Sequence, residues 1–217
     1  MRARGILFDL DGTLIDSAPL IAGIINAMLA ARGTGRRVTP GDARPHLTRS
    51  GEQLVAAMLA ADATDPAQDI AEFRDLYAAR PTPATCLYDG VRDGLEALGA
   101  AGVAMAICSN KPQPLCEKVV RDLALGPLFA AVAGSMPDRP LKPAPAIGAR
   151  ALEAMGLGAH EVTYVGDSEV DRQTAAALGT PFLHVGYGYA EAHMVREGFP
   201  TFVTFGALVA HHLAEAA

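Results

Sequence analysis

The chain has 217 residues, half of them hydrophobic and only 19% charged, with 22 Gly and 15 Pro. That composition excludes a disordered, fibrous or coiled-coil chain and leaves room for one large globular domain or two small ones. A net charge of −6, from 18 Lys+Arg against 24 Asp+Glu, argues against a nucleic-acid binder. The three irregularly spaced cysteines form neither a disulfide framework nor a zinc site and read as reduced thiols of a cytoplasmic protein.

The N-terminal segment MRARGILFDLDGT has an apolar stretch of four residues before Asp9. A signal peptide needs about 7–15, so this first strand is expected in the mature fold. No apolar run approaches the ~20 residues needed to span a bilayer, so no membrane association is expected.

Residues 5–8 (Gly-Ile-Leu-Phe) read as a buried parallel strand. Residues 17–82 then break the rhythm. Apolar positions recur at helical spacing in Leu20, Ile21, Ile24, Ile25, Met28 and Leu29, and again in Leu54, Val55, Met58 and Leu59. Loops at 33–35 and 62–66 separate them, and Pro81 and Pro83 close the segment. This predicts a four-helix insertion. With seven Arg against seven Asp+Glu it is neutral, which leaves the negative charge on the rest of the chain.

Beyond it, strands expected at 103–108, 130–133, 162–165 and 181–185 alternate with helices near 89–101, 112–124, 143–156, 169–178 and 204–215. Gly102, Gly126, Gly156 and Gly179 each follow a helical stretch, where a left-handed residue is wanted. The alternation predicts an α/β fold, a parallel sheet with helices on both faces. Residues 1–16 and 83–217 would build it, with 17–82 inserted as an all-helical cap.

Four short segments fall at strand ends, where open parallel sheets bind ligands. Asp9-Leu10-Asp11-Gly12-Thr13 puts two carboxylates on one side of the chain as it leaves a strand, with a glycine that permits a sharp turn. Carboxylates that close repel unless a cation or proton lies between them. Ser109-Asn110-Lys111 offers a hydroxyl and backbone N–H groups ahead of a helix, which suits a phosphate or simply caps the helix. Lys142-Pro143-Ala144-Pro145 places one of only three lysines at a helix start, where its charge opposes the helix dipole; it serves an anion there or is a solvated surface lysine. Gly166-Asp167-Ser168-Glu169-Val170-Asp171 places Asp167 at a strand end and Asp171 one helical turn on. Four carboxylates at two strand tips suit Mg²⁺, which takes oxygen ligands and keeps several waters.

In this order, DLDGT, SNK, KPAP and GDSEVD resemble the motifs of the haloacid-dehalogenase-like (HAD) hydrolase superfamily over almost the whole chain. Asp16-Ser17-Ala18-Pro19, Tyr88-Asp89-Gly90-Val91 and Val185-Gly186-Tyr187-Gly188 bring the resemblance closest to the phosphoglycolate-phosphatase-like branch, which often has proline in place of Asp89. The resemblance implies a Rossmann-like core with a helical cap and a Mg²⁺-dependent phosphatase. Asp9 would be the nucleophile that forms an aspartyl-phosphate, and Asp11 the general acid and then base. Thr13, Ser109, Asn110 and Lys142 would bind the substrate phosphate. Asp9, Asp11 (through its carbonyl) and Asp167 would hold the metal, with Asp171 orienting a metal-bound water or Lys142. The implied partner is a small phosphorylated metabolite, with 2-phosphoglycolate the leading candidate; the resemblance does not choose between monomer and homodimer.

Within the superfamily, Asp11 argues against the dehalogenases, which lack that carboxylate. The absence of lysine from 17–82 argues against phosphonate cleavage through a cap Schiff base. A sugar phosphomutase shares all four motifs and stays as an alternative, as does a non-enzymatic phospho-ligand scaffold. In the cap, Arg44, His46, Arg49 and Ser50 are either plain surface residues or determinants of the leaving group. Arg49, beside the Ser50-Gly51 turn, is the candidate to hold a substrate carboxylate bidentately. The six histidines, His193 among them, show no metal-ligand spacing.

Overall fold

A computed structural model of the chain describes residues 3–189 and 198–215; His193 lies outside the described residues. The chain divides into two compact units, Met1–Asp16 with Leu87–Ala217 and Ser17–Cys86.

The first unit is a parallel sheet. Its strands are β1 (Gly5–Phe8), β2 (Ala104–Pro112), β3 (Ala131–Ser135), β4 (Val162–Gly166), β5 (Phe182–Val185) and β6 (Thr201–Phe202), in the spatial order β3-β2-β1-β4-β5-β6. The chain first builds outward from β1 through β2 to β3, then returns to the other side of β1 with β4. β1 therefore lies between two neighbours and is buried at all four residues, which is why it reads as a continuous apolar run. In register, Leu7 stands opposite both Ala106 and Tyr164, and Phe8 opposite both Ile107 and Val165.

Alternate residues of these strands face opposite sides of the sheet. Leu7, Ala106, Cys108 and Tyr164 share a buried cluster with Ile147, Ala151 and Leu152 of α7 (Ala146–Met155) and Ala175 of α8 (Glu169–Leu178). Phe8, one residue on from Leu7, meets Phe205 of α9 (Phe205–Glu215) with ring centroids 5.8 Å apart. α9 packs in turn on α5 (Val91–Ala100), where a side chain at Gly94 would strike Phe205 and Val209. Helices thus cover both faces of the sheet.

Several boundaries differ from the sequence expectation. β2 does not stop at Cys108 but runs through Ser109, Asn110 and Lys111 to Pro112, with a register shift against β3 between Cys108 and Pro112. The SNK segment is therefore strand end rather than helix cap. α6 (Gln113–Asp122) ends two residues early, so the left-handed position falls on Ala124, with φ of 51°, and not on Gly126, which opens a 3-10 turn. α7 starts at Ala146, which takes Lys142 off the helix and puts it on the loop that precedes it. β6 is too short to show a period of its own; two backbone contacts beside β5 define it.

The second unit holds α1 (Ala18–Ala31), α2 (Pro40–Ala43), α3 (Gly51–Leu59) and α4 (Pro66–Ala79), with the turn Ala84–Cys86 at its end. Its core is Ile21, Ile24, Ile25, Met28 and Leu29 of α1, Leu54, Val55, Met58 and Leu59 of α3, and Ile70, Phe73 and Tyr77 of α4. Arg32, just past α1, ties the bundle by donating to Asp69 and Glu72, each at 2.8 Å. No helix among the described residues is long and apolar enough to cross a membrane.

Candidate active site

The order in which strands are added reverses between β1 and β4, and at such a switch point a crevice opens beyond the carboxyl ends of the strands. Asp9 follows β1 there, and its N–H donates to Val165 O of β4 at 2.9 Å, which keeps the two strands in step. Asp167 follows β4 in the same way. Between them the chain turns at Gly12, whose φ is 86°. A side chain at Gly12 would run into the Asp167 carboxylate, and one at Gly188 would run into both the Gly12 carbonyl and Asp167. Glycine at these two positions lets three backbone segments close around one carboxylate.

Asp9, Asp167 and Asp171 are all buried, with carboxylate oxygens within 4.8 Å of one another. Lys142 comes in from the loop before α7; its Nζ lies 2.9 Å from Asp9 Oδ1 and 2.7 Å from Asp171 Oδ1. One ammonium against three carboxylates leaves the cluster over-negative. Burial first, then the charges of Asp171 and Asp11, push Asp9 up to about 7 against the opposing pull of Lys142. Burial and the charges of Asp171 and Asp9 hold Asp167 well above the usual carboxylate range. Burial would lower the Lys142 ammonium, but Asp171 and Asp9 outweigh it and raise it above the ordinary lysine range.

Asp171 is fully engaged. Its Oδ1 takes the Lys142 ammonium, and its Oδ2 accepts from the N–H of Ser168 at 3.1 Å and from Ser168 Oγ at 2.6 Å in a reciprocal capping box at the start of α8. The oxygens left open are elsewhere. Asp9 Oδ1 has only the Lys142 ammonium, at 2.9 Å, and Asp11 Oδ1 and Thr13 Oγ1 are buried without a hydrogen-bond partner among the described residues. Buried oxygens in that condition are costly unless something outside the chain satisfies them. A hard divalent cation fits the buried carboxylates of Asp9 and Asp167, whose oxygens converge on one point.

The carboxylate of Asp11 stands outside the cluster; its Oδ2 pairs with Lys111 Nζ at 2.9 Å. Ser109 is buried, and its Oγ accepts from the N–H of Lys111 at 3.3 Å. Asn110 spends both ends of its amide on the backbone of Lys142. Its Oδ1 accepts from Lys142 N at 2.7 Å, and its Nδ2 donates to Lys142 O at 3.2 Å. Lys142 is thus buried and clamped, not solvated. Arg49 belongs to the helical unit, exposed just ahead of Ser50, the residue that caps α3.

The sequence leaves three participants without a role. Lys111 is one; it is rare (one lysine of three in the chain) and closes the SNK segment, but is given no task there. The loop after β5 is another. The N–H of Tyr189 donates to Asp167 Oδ2 at 2.6 Å, Tyr189 OH donates to Asp16 Oδ1 at 2.8 Å, and Tyr187 OH donates to Thr13 O at 2.8 Å. The third is Tyr164, whose phenol lies under Lys142.

The chain belongs to the haloacid dehalogenase-like hydrolase family, whose profile matches residues 6–185. Within it the chain falls in the phosphoglycolate-phosphatase-like branch, and it is a phosphatase of that family. It is 34% identical over 187 residues to a phosphoglycolate phosphatase of Xanthomonas campestris pv. campestris, covering 86% of this chain and 84% of the relative. It is 36% identical over 195 residues to a phosphoglycolate phosphatase of Cereibacter sphaeroides, covering 87% of each. Among solved structures, a Lactobacillus delbrueckii subsp. bulgaricus protein shares the fold with a TM-score of 0.84 and 22% identity, over 98% of this chain and 99% of that one. CbbY from Rhodobacter sphaeroides, solved in complex with phosphate, has a TM-score of 0.77 and 21% identity, over 95% and 96%.

Proposed function

We propose that this protein hydrolyses a small phosphomonoester, 2-phosphoglycolate first, with Mg²⁺ and through a phosphoaspartate at Asp9. The observation that carries the reading is the buried Asp9–Asp167–Asp171 cluster at the switch point, with Lys142 in contact. Three carboxylates packed this way repel an anionic substrate unless cations intervene. Asp9, Asp167 and the Asp11 carbonyl would hold Mg²⁺, which when bound neutralises phosphate charge and polarises the phosphoryl group.

In this reading an Asp9 carboxylate oxygen attacks phosphorus. The P–O bond to the leaving group breaks as Asp11 gives its proton to the departing oxygen. Water then attacks the phosphoaspartate and passes a proton back to Asp11, which releases orthophosphate and restores Asp9. Lys142 and Ser109 hold the phosphoryl oxygens and Thr13 supports them, so that geometry and charge do most of the work. Asn110, with its amide spent on the Lys142 backbone, acts by fixing that lysine. Asp171, with both oxygens engaged, aims Lys142 and leaves metal binding to its neighbours. A cytoplasmic location fits three buried cysteines, Cys86, Cys108 and Cys116, that form no disulfide.

The substrate assignment follows the names of the two sequence relatives and the chemistry of Arg49. That guanidinium is exposed and makes no ion pair among the described residues, unlike those of Arg32, Arg36 and Arg74. The test is phosphate release from a panel of phosphomonoesters. Turnover of 2-phosphoglycolate is expected with Mg²⁺ and none after chelation. Arg49→Ala is expected to lower kcat/KM for 2-phosphoglycolate about tenfold or more, as for a lost charged hydrogen bond, and to leave an uncharged aryl phosphate nearly unaffected. Release that persists after exhaustive chelation would sink the metal assignment, and equal losses on both substrates would sink the role of Arg49.

The metal assignment also has a pH signature. Asp9 is raised from 3.8 to about 7. A group raised on folding contributes stability that is full below its unfolded value and is lost as pH climbs through its folded value. Without metal, this term therefore falls away between about pH 4 and pH 7, as Asp9 ionises beside Asp167 and Asp171. Mg²⁺ favours the ionised form, so the rise in melting temperature on adding Mg²⁺ is expected to be larger at pH 8 than at pH 5.5. An equal or larger rise at the acidic pH would contradict cation binding by this cluster.

A further inference from the structure

Tyr164 is a buried tyrosine in a strand where every residue is buried, and its ring belongs to the core cluster beneath the site. Such a phenol needs partners, and it finds three. Tyr164 OH accepts from Lys142 Nζ at 3.1 Å and lies 3.2 Å from both Cys108 O and Asp171 Oδ1, to which it can donate. The phenol reaches from β4 past the central strand to a carbonyl of β2, that of Cys108, two residues beyond the Ala106 that shares a row with Leu7 and Tyr164.

The Lys142 ammonium has three N–H donors, and the structure gives it three directed acceptors: Cys108 O at 3.0 Å, Tyr164 OH at 3.1 Å and Asp171 Oδ1 at 2.7 Å. These come from β2, β4 and α8, three separate elements that converge on one nitrogen. Asp9 Oδ1 is a fourth neighbour of the same nitrogen, at 2.9 Å. A lysine side chain has rotamer freedom to lose, and a free ammonium beside three carboxylates could collapse onto any of them. Of the three acceptors, only the phenol is neutral, belongs to a side chain and touches a second acceptor of the same ammonium. It can hold Lys142 without neutralising it, and it ties Asp171 to the same point.

We propose that Tyr164 is a positioning residue, whose hydroxyl aims the Lys142 ammonium at the phosphoryl group. This rests on the assignment of Lys142 to the phosphoryl oxygens, and the experiment separates the two. Tyr164→Phe keeps the ring and the core packing and removes only the oxygen. Lys142→Met keeps the apolar stem and removes the charge. The dissociation constant of orthophosphate with Mg²⁺ is measured by calorimetry for the wild type, both single variants and the double variant, with a melting curve for each to establish folding.

The expected result is about tenfold weaker orthophosphate binding by Tyr164→Phe, the scale of one lost hydrogen bond to a charged group, with no further loss when the change is made in Lys142→Met. Binding by Tyr164→Phe within twofold of the wild type would overturn the inference while leaving Lys142 in place. The same loss in both backgrounds would also overturn it, because the hydroxyl would then act independently of the ammonium. Wild-type binding by Lys142→Met would overturn the assignment of Lys142 and this inference with it.

Discussion

Asp9→Asn is expected to abolish turnover, by on the order of 10⁴-fold or more, as when the nucleophile is removed from a unit that acts together. The substitution is nearly isosteric, and the amide still sits at the end of β1 against Lys142. Orthophosphate binding should therefore survive in part. Stability should move the other way. In the wild-type protein Asp9 is one of three buried carboxylates sharing one ammonium, and its pKa near 7 reflects how unfavourable that is for the charged form. Removing its charge relieves the crowding, so the metal-free variant is expected to melt no lower than the wild type at pH 8, and higher if relief outweighs the lost contact with Lys142. Loss of function with equal or greater stability is the mark of a strained functional group. Turnover within tenfold of the wild type, on a correctly folded variant, would exclude Asp9 as nucleophile.

Asp11→Asn should fail differently. The attack of Asp9 needs nothing from Asp11, but departure of the leaving group and activation of water both need proton transfer, worth typically about 10²–10⁴-fold. The loss should depend on the leaving group. On 2-phosphoglycolate, whose alkoxide is a poor leaving group, both half-reactions suffer. On an activated aryl phosphate the first half-reaction should run almost unaided, and only the second should slow. Lys111 loses its contact with Asp11 Oδ2, at 2.9 Å, in this variant. A melting curve separates that structural cost from the chemical one. The same loss of kcat/KM, which reports the first half-reaction, on both substrates would argue that Asp11 orients the site and does not transfer protons.

Most of the core and half of the site could be read from the sequence because their signals are local. Asp9 and Asp11 announce themselves by following a four-residue apolar strand and preceding the glycine that the turn at φ of 86° requires. Asp167 and Asp171 do so by flanking a serine that forms a capping box with the second of them. Lys142 stood out only as a charge in an odd place. The remainder depends on contacts between distant segments. Nothing near Asn110 says that its amide will clamp the backbone of Lys142. Nothing near Tyr189 says that its N–H will reach the Asp167 carboxylate.

Tyr164 is the instructive intermediate case. A phenol in a fully buried strand is a local sign that a partner exists, but which partner follows only from the strand order β2-β1-β4. The strand that runs past Cys108 shows a similar limit. Ser109-Asn110-Lys111 has the composition of a helix cap, and pairing with β3 on the far side of a register shift carries it on as strand. At the end of α6, Gly126 looks like the helix stop, but the helix ends early enough that Ala124 takes the left-handed conformation.

The central claim, a phosphoryl group carried by Asp9, has a direct test. Asp11→Asn enzyme is mixed with an aryl phosphate and Mg²⁺, quenched in acid during turnover, digested, and its peptides weighed. A mass gain of one phosphoryl group is expected on the peptide that carries Asp9, absent from Asp9→Asn and from unreacted enzyme. Turnover by the Asp11→Asn enzyme with no labelled peptide, or with the label on any other residue, would contradict the account.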